Sequence, residues 1–189
     1  LPAFFHSVSC RTAGFNTVDI NAMRDATLFL SIMLMVVGAG PCSTGGGVKI
    51  STVALLIMQA YSRFRGFSHI NMFRRTIPEE SIDKALASII FYLMVATLAF
   101  ITILVVEENH ALAEGTPWEF NDIMFEVASA LGTVGLSTGI TAAFSTMGKT
   151  ILIVLMFMGR LGPITVFAAL ALSRSKHTKQ FASEEPLLG

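Results

Sequence analysis

Long uncharged stretches alternate along the chain with short clusters of charge, and the lengths of those stretches decide what they can form. Ala85 to Val106 is 22 residues without Asp, Glu, Lys or Arg. A helix needs about 20 mostly apolar residues to cross a hydrocarbon core roughly 30 Å thick, so this stretch predicts a membrane-spanning helix. Thr150 to Ser173 is 24 residues with one charge, Arg160, near its middle. It predicts a second span, in which an isolated guanidinium costs at least about 2.5 kcal/mol on insertion scales and needs a partner or water. Ala26 to Val48 is also uncharged, but only Ala26 to Val37 reads as helix before the sequence turns into Gly38-Ala39-Gly40-Pro41-Cys42-Ser43-Thr44-Gly45-Gly46-Gly47. Twelve helical residues reach about 18 Å, and so does the apolar segment Ile50 to Tyr61 that follows. Two half-helices joined by a Gly-rich loop predict one broken span. Irregular backbone at that depth is tolerated only where protein or a water-filled cavity covers it, so the loop is expected to line a pathway. The alternative is a short extramembrane turn between two amphipathic helices.

Composition agrees with a membrane chain, since 53% of the 189 residues are apolar and 14% are charged, against about 25% charged in ordinary globular proteins. Thirteen basic and thirteen acidic side chains cancel to zero net charge, which removes the basic surface that nucleic-acid binding requires. The distribution of charge carries more than its sum. Arg63, Arg65, Arg74, Arg75 and Lys84 cluster in one connection, and Arg174, Lys176 and Lys179 follow the last apolar stretch. Lys/Arg bias puts both on the cytoplasmic side. The connection after Val106 has Glu107, Glu108, Glu114 and Glu119 with no Lys or Arg, and is expected outside. Cys10 and Cys42 lack ligand spacing, so neither a disulfide framework nor a zinc site is predicted. The start at Leu1, without a signal-peptide pattern, reads as an N-terminally truncated or processed chain.

Sliding the chain against itself by 121 positions aligns Phe4 with Phe125, Thr12 with Thr133, Gly14 with Gly135, Thr17 with Thr138, Ala22 with Ala143, Met35 with Met156 and Gly38 with Gly159, without a gap. The matches concentrate in Thr-x-Gly-x-x-Thr, and each copy follows the same order of elements. The second copy is complete: a span at 86–106, an acidic outer loop, a short apolar segment Trp118 to Leu131, a Gly/Thr stretch at 132–138 and a span at 150–173. In the first copy Leu1 to Cys10 corresponds to the short segment. A helix of about 12 residues between two spans must enter and leave on one face, which makes it re-entrant. Its C-terminal end then points into the membrane, where its partial negative charge favours a cation. The glycines that follow permit backbone conformations that aim consecutive carbonyls inward, and rings of such carbonyls replace the hydration shell of a potassium ion.

Thr133-Val134-Gly135-Leu136 resembles the potassium-channel filter. The pair Arg11-Thr12-Ala13-Gly14-Phe15-Asn16-Thr17 and Gly132-Thr133-Val134-Gly135-Leu136-Ser137 resembles the third and fourth filter segments of the Trk/Ktr/HKT potassium transporter superfamily. The Gly38 to Gly47 loop is similar to that family's gating loop, Gly159-Arg160-Leu161-Gly162-Pro163 to its Arg-bearing motif, and the Glu184 to Gly189 tail to a Ktr-type C-terminus. The resemblance covers nearly the whole chain and is to the C-terminal part of a pore-forming membrane subunit of Ktr or Trk type.

What the resemblance implies is an all-α integral membrane protein of helix–pore loop–helix repeats, with a broken, Gly-loop-interrupted helix. It divides the chain into a third-repeat pore helix, filter and broken helix at 1–66, a cytoplasmic connection at 67–84, a fourth repeat at 85–173 and a cytoplasmic tail at 174–189. It assigns a selectivity filter to Thr12, Ala13, Gly14, Phe15, Gly132, Thr133, Val134, Gly135 and Leu136, holding potassium by backbone carbonyls. It assigns gating to Gly38, Gly40, Ser43, Thr44, Gly45, Gly46, Gly47 and Arg160. The implied activity is potassium uptake across the cell membrane, the inner membrane of a bacterium, through a channel-like pore. Sodium is a second candidate ion, and no organic cofactor is implied. The implied partners are membrane lipid, a second copy in a homodimer and cytosolic nucleotide-binding regulatory (RCK/KTN) subunits, with no nucleic acid. Four filter segments are the family pattern and this chain holds two.

Other readings of the same residues stay open. Lys49 follows Val48 and not a glycine of a Gly-Lys-Ser/Thr sequence, which argues against a phosphate-binding loop. The 63–84 cluster is a solvated topogenic loop or in addition a docking surface for cytosolic subunits. Asp122 and Glu126 either add negative potential near the pore mouth or solvate the outer end of the second short helix. The four histidines are scattered and form no catalytic arrangement, so no enzyme is predicted. A broken-helix secondary cation transporter is the competing class, although it expects inverted repeats where these copies run parallel. A non-conducting membrane scaffold is the third.

Overall fold

The computed structural model describes residues 1–40, 45–67, 71–72, 75–114 and 119–161. Its helices are α1 (Pro2–Ser9), α2 (Asp25–Val36), α3 (Ile50–Phe64), α4 (Glu79–Glu114), α5 (Phe120–Leu131) and α6 (Thr146–Leu161), with a short 3-10 turn at Ile140–Ala143 before α6. Besides helix, the described residues hold one isolated bridge and a two-stranded antiparallel ladder, β1 (Asn71–Met72) on β2 (Arg75–Thr76), in which Asn71 pairs with Thr76 and Met72 with Arg75. The all-α class holds, with this small ladder inside the connection expected to be plain loop.

α4 is the element built to cross a membrane, and Glu79–Glu108 within it is long and apolar enough to do so. Pro78 precedes it and Glu79 and Glu80 occupy its first turn, where acidic side chains oppose the positive end of the helix. Leu86, Ile90, Leu93, Leu98, Ile101 and Val105 are exposed, whereas Tyr92, Ala99 and Ile103 are buried. At about 100° per residue each set falls on its own face, so one side of α4 packs and the other offers hydrocarbon to lipid.

α5 is the hub. It packs against α2, α4 and α6, and eight of its residues, from Ile123 to Leu131, are buried. One core joins Val127, Ala130 and Leu131 of α5 to Ile103 of α4 and Leu152 and Leu155 of α6. A second joins Phe125 and Ala128 to Leu28, Ile32 and Met35 of α2, Cys10 and Ile20, with Val134 and Leu136 from the segment after α5.

Several boundaries differ from the sequence reading, for physical reasons. α4 runs past Val106 through Glu107 and Glu108 to Glu114, so the acidic connection begins as helix. Glu107 is fully buried, not in an outer loop. Its carboxylate accepts bonds from Ser145 N at 3.2 and 3.1 Å and from Ser145 Oγ at 2.6 Å, at the N-terminus of α6. Ser145 Oγ in turn accepts from Gly148 N at 3.1 Å, capping the helix. That cap starts α6 at Thr146, four residues before the uncharged stretch begins. The half-helices are Asp25–Val36 and Ile50–Phe64, and the second short helix is Phe120–Leu131. Trp118, the remainder of the last predicted span at 162–173 and the 174–189 tail lie outside the described residues.

Candidate functional site

Each of the short helices α1 and α5 ends in a segment that leaves the helix and turns back. After α5, Gly132 N donates to Ala128 O at 2.8 Å, Thr133 N to Ala130 O at 3.1 Å and Val134 N to Ser129 O at 2.9 Å. After α1, Cys10 N donates to His6 O at 3.0 Å and Gly14 N to Ser9 O at 3.3 Å. Both segments then place every second residue in the left-handed region: Thr12 at φ 64° and Gly14 at 73°, Thr133 at 53° and Gly135 at 91°. For glycine this costs little, whereas a β-branched threonine is strained by about 1–2 kcal/mol. In an ordinary strand successive carbonyls point to opposite sides; alternating hand turns successive peptide planes over and brings them to one side. Val134 and Leu136 are buried and Gly135 is exposed, so in the second segment the side chains anchor in the core and leave backbone open.

A serine in the last turns of each short helix fixes the far end of each segment. Ser129 Oγ donates to Leu136 O at 2.5 Å, and Ser9 Oγ donates to Phe15 O. Phe15 and Leu136 are counterparts at the offset of 121. The two segments lie side by side: a Cβ on Gly14 would stand 2.3 Å from Val134 O, and one on Gly135 would stand 3.9 Å from Gly14 Cα. The backbone and hydroxyl oxygens of Thr12–Phe15 and Thr133–Leu136 are the group that could hold a dehydrated monovalent cation.

The Gly-rich loop packs against the threonines of both segments. Its neck is closed by Gly38 N donating to Val48 O at 2.9 Å and Val48 N donating to Val36 O at 3.0 Å, which makes a parallel bridge between Val37 and Val48. Gly46 N donates to Thr133 Oγ1 at 2.8 Å. A Cβ on Gly46 would stand 2.6 Å from Thr133 Oγ1, and one on Gly45 2.7 Å from Thr12 Oγ1. Gly38 lies against Gly46, and Gly47 takes φ 75° to turn out of the loop, while Gly40 has open space. Lys49, at the start of α3, donates from Nζ to Gly45 O at 2.8 Å. Of the expected gating residues, Gly45 and Gly46 thus lie against the filter candidates, while Gly38 and Gly47 pack at the neck of the loop. Ser43 and Thr44 lie outside the described residues.

Arg160 is exposed on α6. It lines a cavity of about 480 Å³ together with Glu126, Thr133, Gly135, Ser137 and Met156. Its neighbour Gly159 is pressed onto the end of α5, where a Cβ would stand 2.1 Å from Leu131 O. Glu126 does not solvate a helix end. It is buried, and its carboxylate accepts from Ser137 Oγ, Thr138 N and Thr141 Oγ1. The sequence reading missed Ser9, Ser129 and Lys49. A serine within eight residues of each Thr-x-Gly glycine was the available signal for the first two.

Two short helices, each followed by an alternating-hand segment, and one helix long and apolar enough to cross a membrane define an all-helical fold of the membrane-protein class. The description "cation transport protein", of the family TrkH, matches residues 1–180. The chain is 42% identical over 171 residues to the Ktr system potassium uptake protein B of Vibrio alginolyticus, covering 90% of this chain and 36% of that protein. It is 34% identical over 188 residues to the potassium/sodium uptake protein NtpJ of Enterococcus hirae, covering 98% of this chain and 41% of that protein. The crystal structure of the potassium transporter TrkH from Vibrio parahaemolyticus matches with a TM-score of 0.70 at 22% identity, covering 89% of this chain and 36% of that one. The chain belongs to the TrkH cation transport protein family, and it spans about two fifths of the length of these relatives.

Proposed function

We propose that this chain supplies two quadrants of a potassium-selective pore for uptake across the cell membrane, with Thr12–Phe15 and Gly132–Leu136 as filter segments and the Gly38–Gly47 loop as gate. The observation that carries the reading is the meeting of three segments: two alternating-hand Thr-x-Gly stretches side by side, with Gly45 and Gly46 against their threonine hydroxyls. Oxygens converging from carbonyls and threonines suit a large, weakly hydrated monovalent cation, and a loop packed at their base obstructs its exit. The relatives named for potassium uptake support this ion, and the relative named for potassium and sodium keeps sodium as a second substrate. In the same reading the 67–84 connection and the 174–189 tail face the cytoplasm. Two copies pair, and cytosolic nucleotide-binding regulatory subunits move the loop through α3.

Arg160 serves the gate as a fixed positive charge beside the pathway, opposing a cation that leaves the filter. The test is potassium flux into vesicles carrying a transporter that contains this chain together with two further helix–pore loop–helix repeats. Deleting Ala39 to Gly46 is expected to raise basal flux without the regulatory subunits. Unchanged or reduced flux at normal protein amount would show that the loop is only structural. Saturable counter-transport would point instead to a carrier.

A further inference from the structure

The two filter candidates share their sequence pattern but differ in what stands behind them. Glu126, on α5, is 5% exposed. Its carboxylate accepts from Ser137 Oγ at 2.5 Å, Thr138 N at 3.0 Å and Thr141 Oγ1 at 2.6 Å, all within five residues of Leu136. Ser137 Oγ lies 3.1 Å from Thr141 Oγ1 and accepts from Gly139 N at 2.9 Å. The stretch leaving the second filter segment is therefore folded around one buried carboxylate. The offset of 121 puts Phe5 opposite Glu126 and Ile20 opposite Thr141. The acceptor and a donor are both hydrocarbon in the first copy, so the network is present in one copy and missing as a unit from the other.

We infer that Glu126 is a positioning residue that fixes the outer end of the Gly132–Leu136 segment and makes it the stiffer of the two quadrants. Hydrogen bonds to a carboxylate are shorter and roughly twice as strong as neutral ones. Three of them, added to the Ser129 bond on Leu136 O, hold this segment, where among the described residues the Ser9 bond on Phe15 O is the counterpart in the first. A ring of carbonyls discriminates between cations by its spacing and its field, and both depend on how far each oxygen can move. The inference rests on the filter reading, and its test separates the two.

The measurement is the potassium-over-sodium preference of flux in a transporter containing the chain and two further repeats, for Glu126→Gln, Thr141→Val and Gly135→Ser. An amide at position 126 faces three donors with one acceptor atom fewer and an NH2 group in its place. Glu126→Gln is expected to lower the preference about tenfold, the size of one charge-assisted bond. Thr141→Val, which removes one donor and keeps the carboxylate, should move it the same way by less, and Glu126→Asp should fall between Gln and the parent. If Gly135→Ser shifts the preference while Glu126→Gln and Thr141→Val leave it unchanged, the positioning role is overturned and the filter stands. If none of the three shifts it, the filter reading fails and takes the inference with it. Should Glu126→Gln not assemble, Thr141→Val decides: a lowered preference supports the role and an unchanged one overturns it.

Discussion

At the scale of the residue, four glycines sit in different surroundings and so give different expectations. A methyl group on Gly14 meets Val134 O at 2.3 Å and must also accept φ 73°. Gly14→Ala should therefore prevent correct assembly, read as loss of folded protein on detergent gel filtration. A methyl on Gly135 has only Gly14 Cα at 3.9 Å to meet, so a side chain there carries mainly the left-handed penalty of about 1–2 kcal/mol. Gly135→Ser should assemble and shift preference toward sodium, measured as the ratio of potassium to sodium flux. Gly159→Ala drives a carbon into the backbone of Leu131, 2.1 Å from its oxygen. It should destabilise by at least the roughly 1–3 kcal/mol of ordinary overpacking, seen as a lowered thermal transition in detergent. Gly148 meets a side-chain atom, Glu107 Oε1, at 2.2 Å, so pairing Gly148→Ala with Glu107→Gln tests whether the cap can yield. The left-handed backbone at Gly14 and Gly135 was legible because a repeated Thr-x-Gly marks positions where backbone matters more than side chain. The strain at Thr12 and Thr133 was not, since nothing in a threonine's identity announces positive φ. The buried setting of Glu126 was not legible for a related reason: a carboxylate near a helix end ordinarily faces water, and one of its donors, Thr141, lies beyond the Thr-x-Gly-x-x-Thr motif.

Among the elements, the broken helix was the most legible, because Gly38 to Gly47 cannot propagate a helix and both flanks are too short to span. What the sequence could not convey is that the neck of the loop is clamped by backbone bonds between Val36, Gly38 and Val48. The clamp closes the loop off from the two half-helices at its base. Lys49 is the tie between them, donating to Gly45 O from the first residue before α3. Lys49→Met keeps length and apolar bulk but removes that donor, and in the gate reading it should raise basal potassium flux by less than the 39–46 deletion does. Equal flux in Lys49→Met and the parent would detach this side chain from gating. α4 was legible only as a core of 22 uncharged residues. Its extension to Glu114 depends on Glu107 finding Ser145 across 38 positions of sequence, a pairing that no local pattern predicts.

For the whole molecule, the parallel repeat allowed the order of elements to be read in advance, and the mutual placement of the two filter candidates is what the coordinates add. Flux is expected to need all the quadrants of a ring. The 189-residue chain reconstituted alone should give no potassium flux above protein-free vesicles, and co-expression with two helix–pore loop–helix repeats of a relative should restore it. The contact of Gly45 with Thr12 and of Gly46 with Thr133 has a consequence for how such a pore would behave one molecule at a time. In the gate reading, adjacent glycines of one loop lie against both segments, so neither is uncovered while the other stays blocked. Current through single pores in a planar bilayer should therefore jump between closed and fully open in one step, without stable intermediate levels. Relaxing the loop should lengthen open dwell times and leave the amplitude of each step as it was.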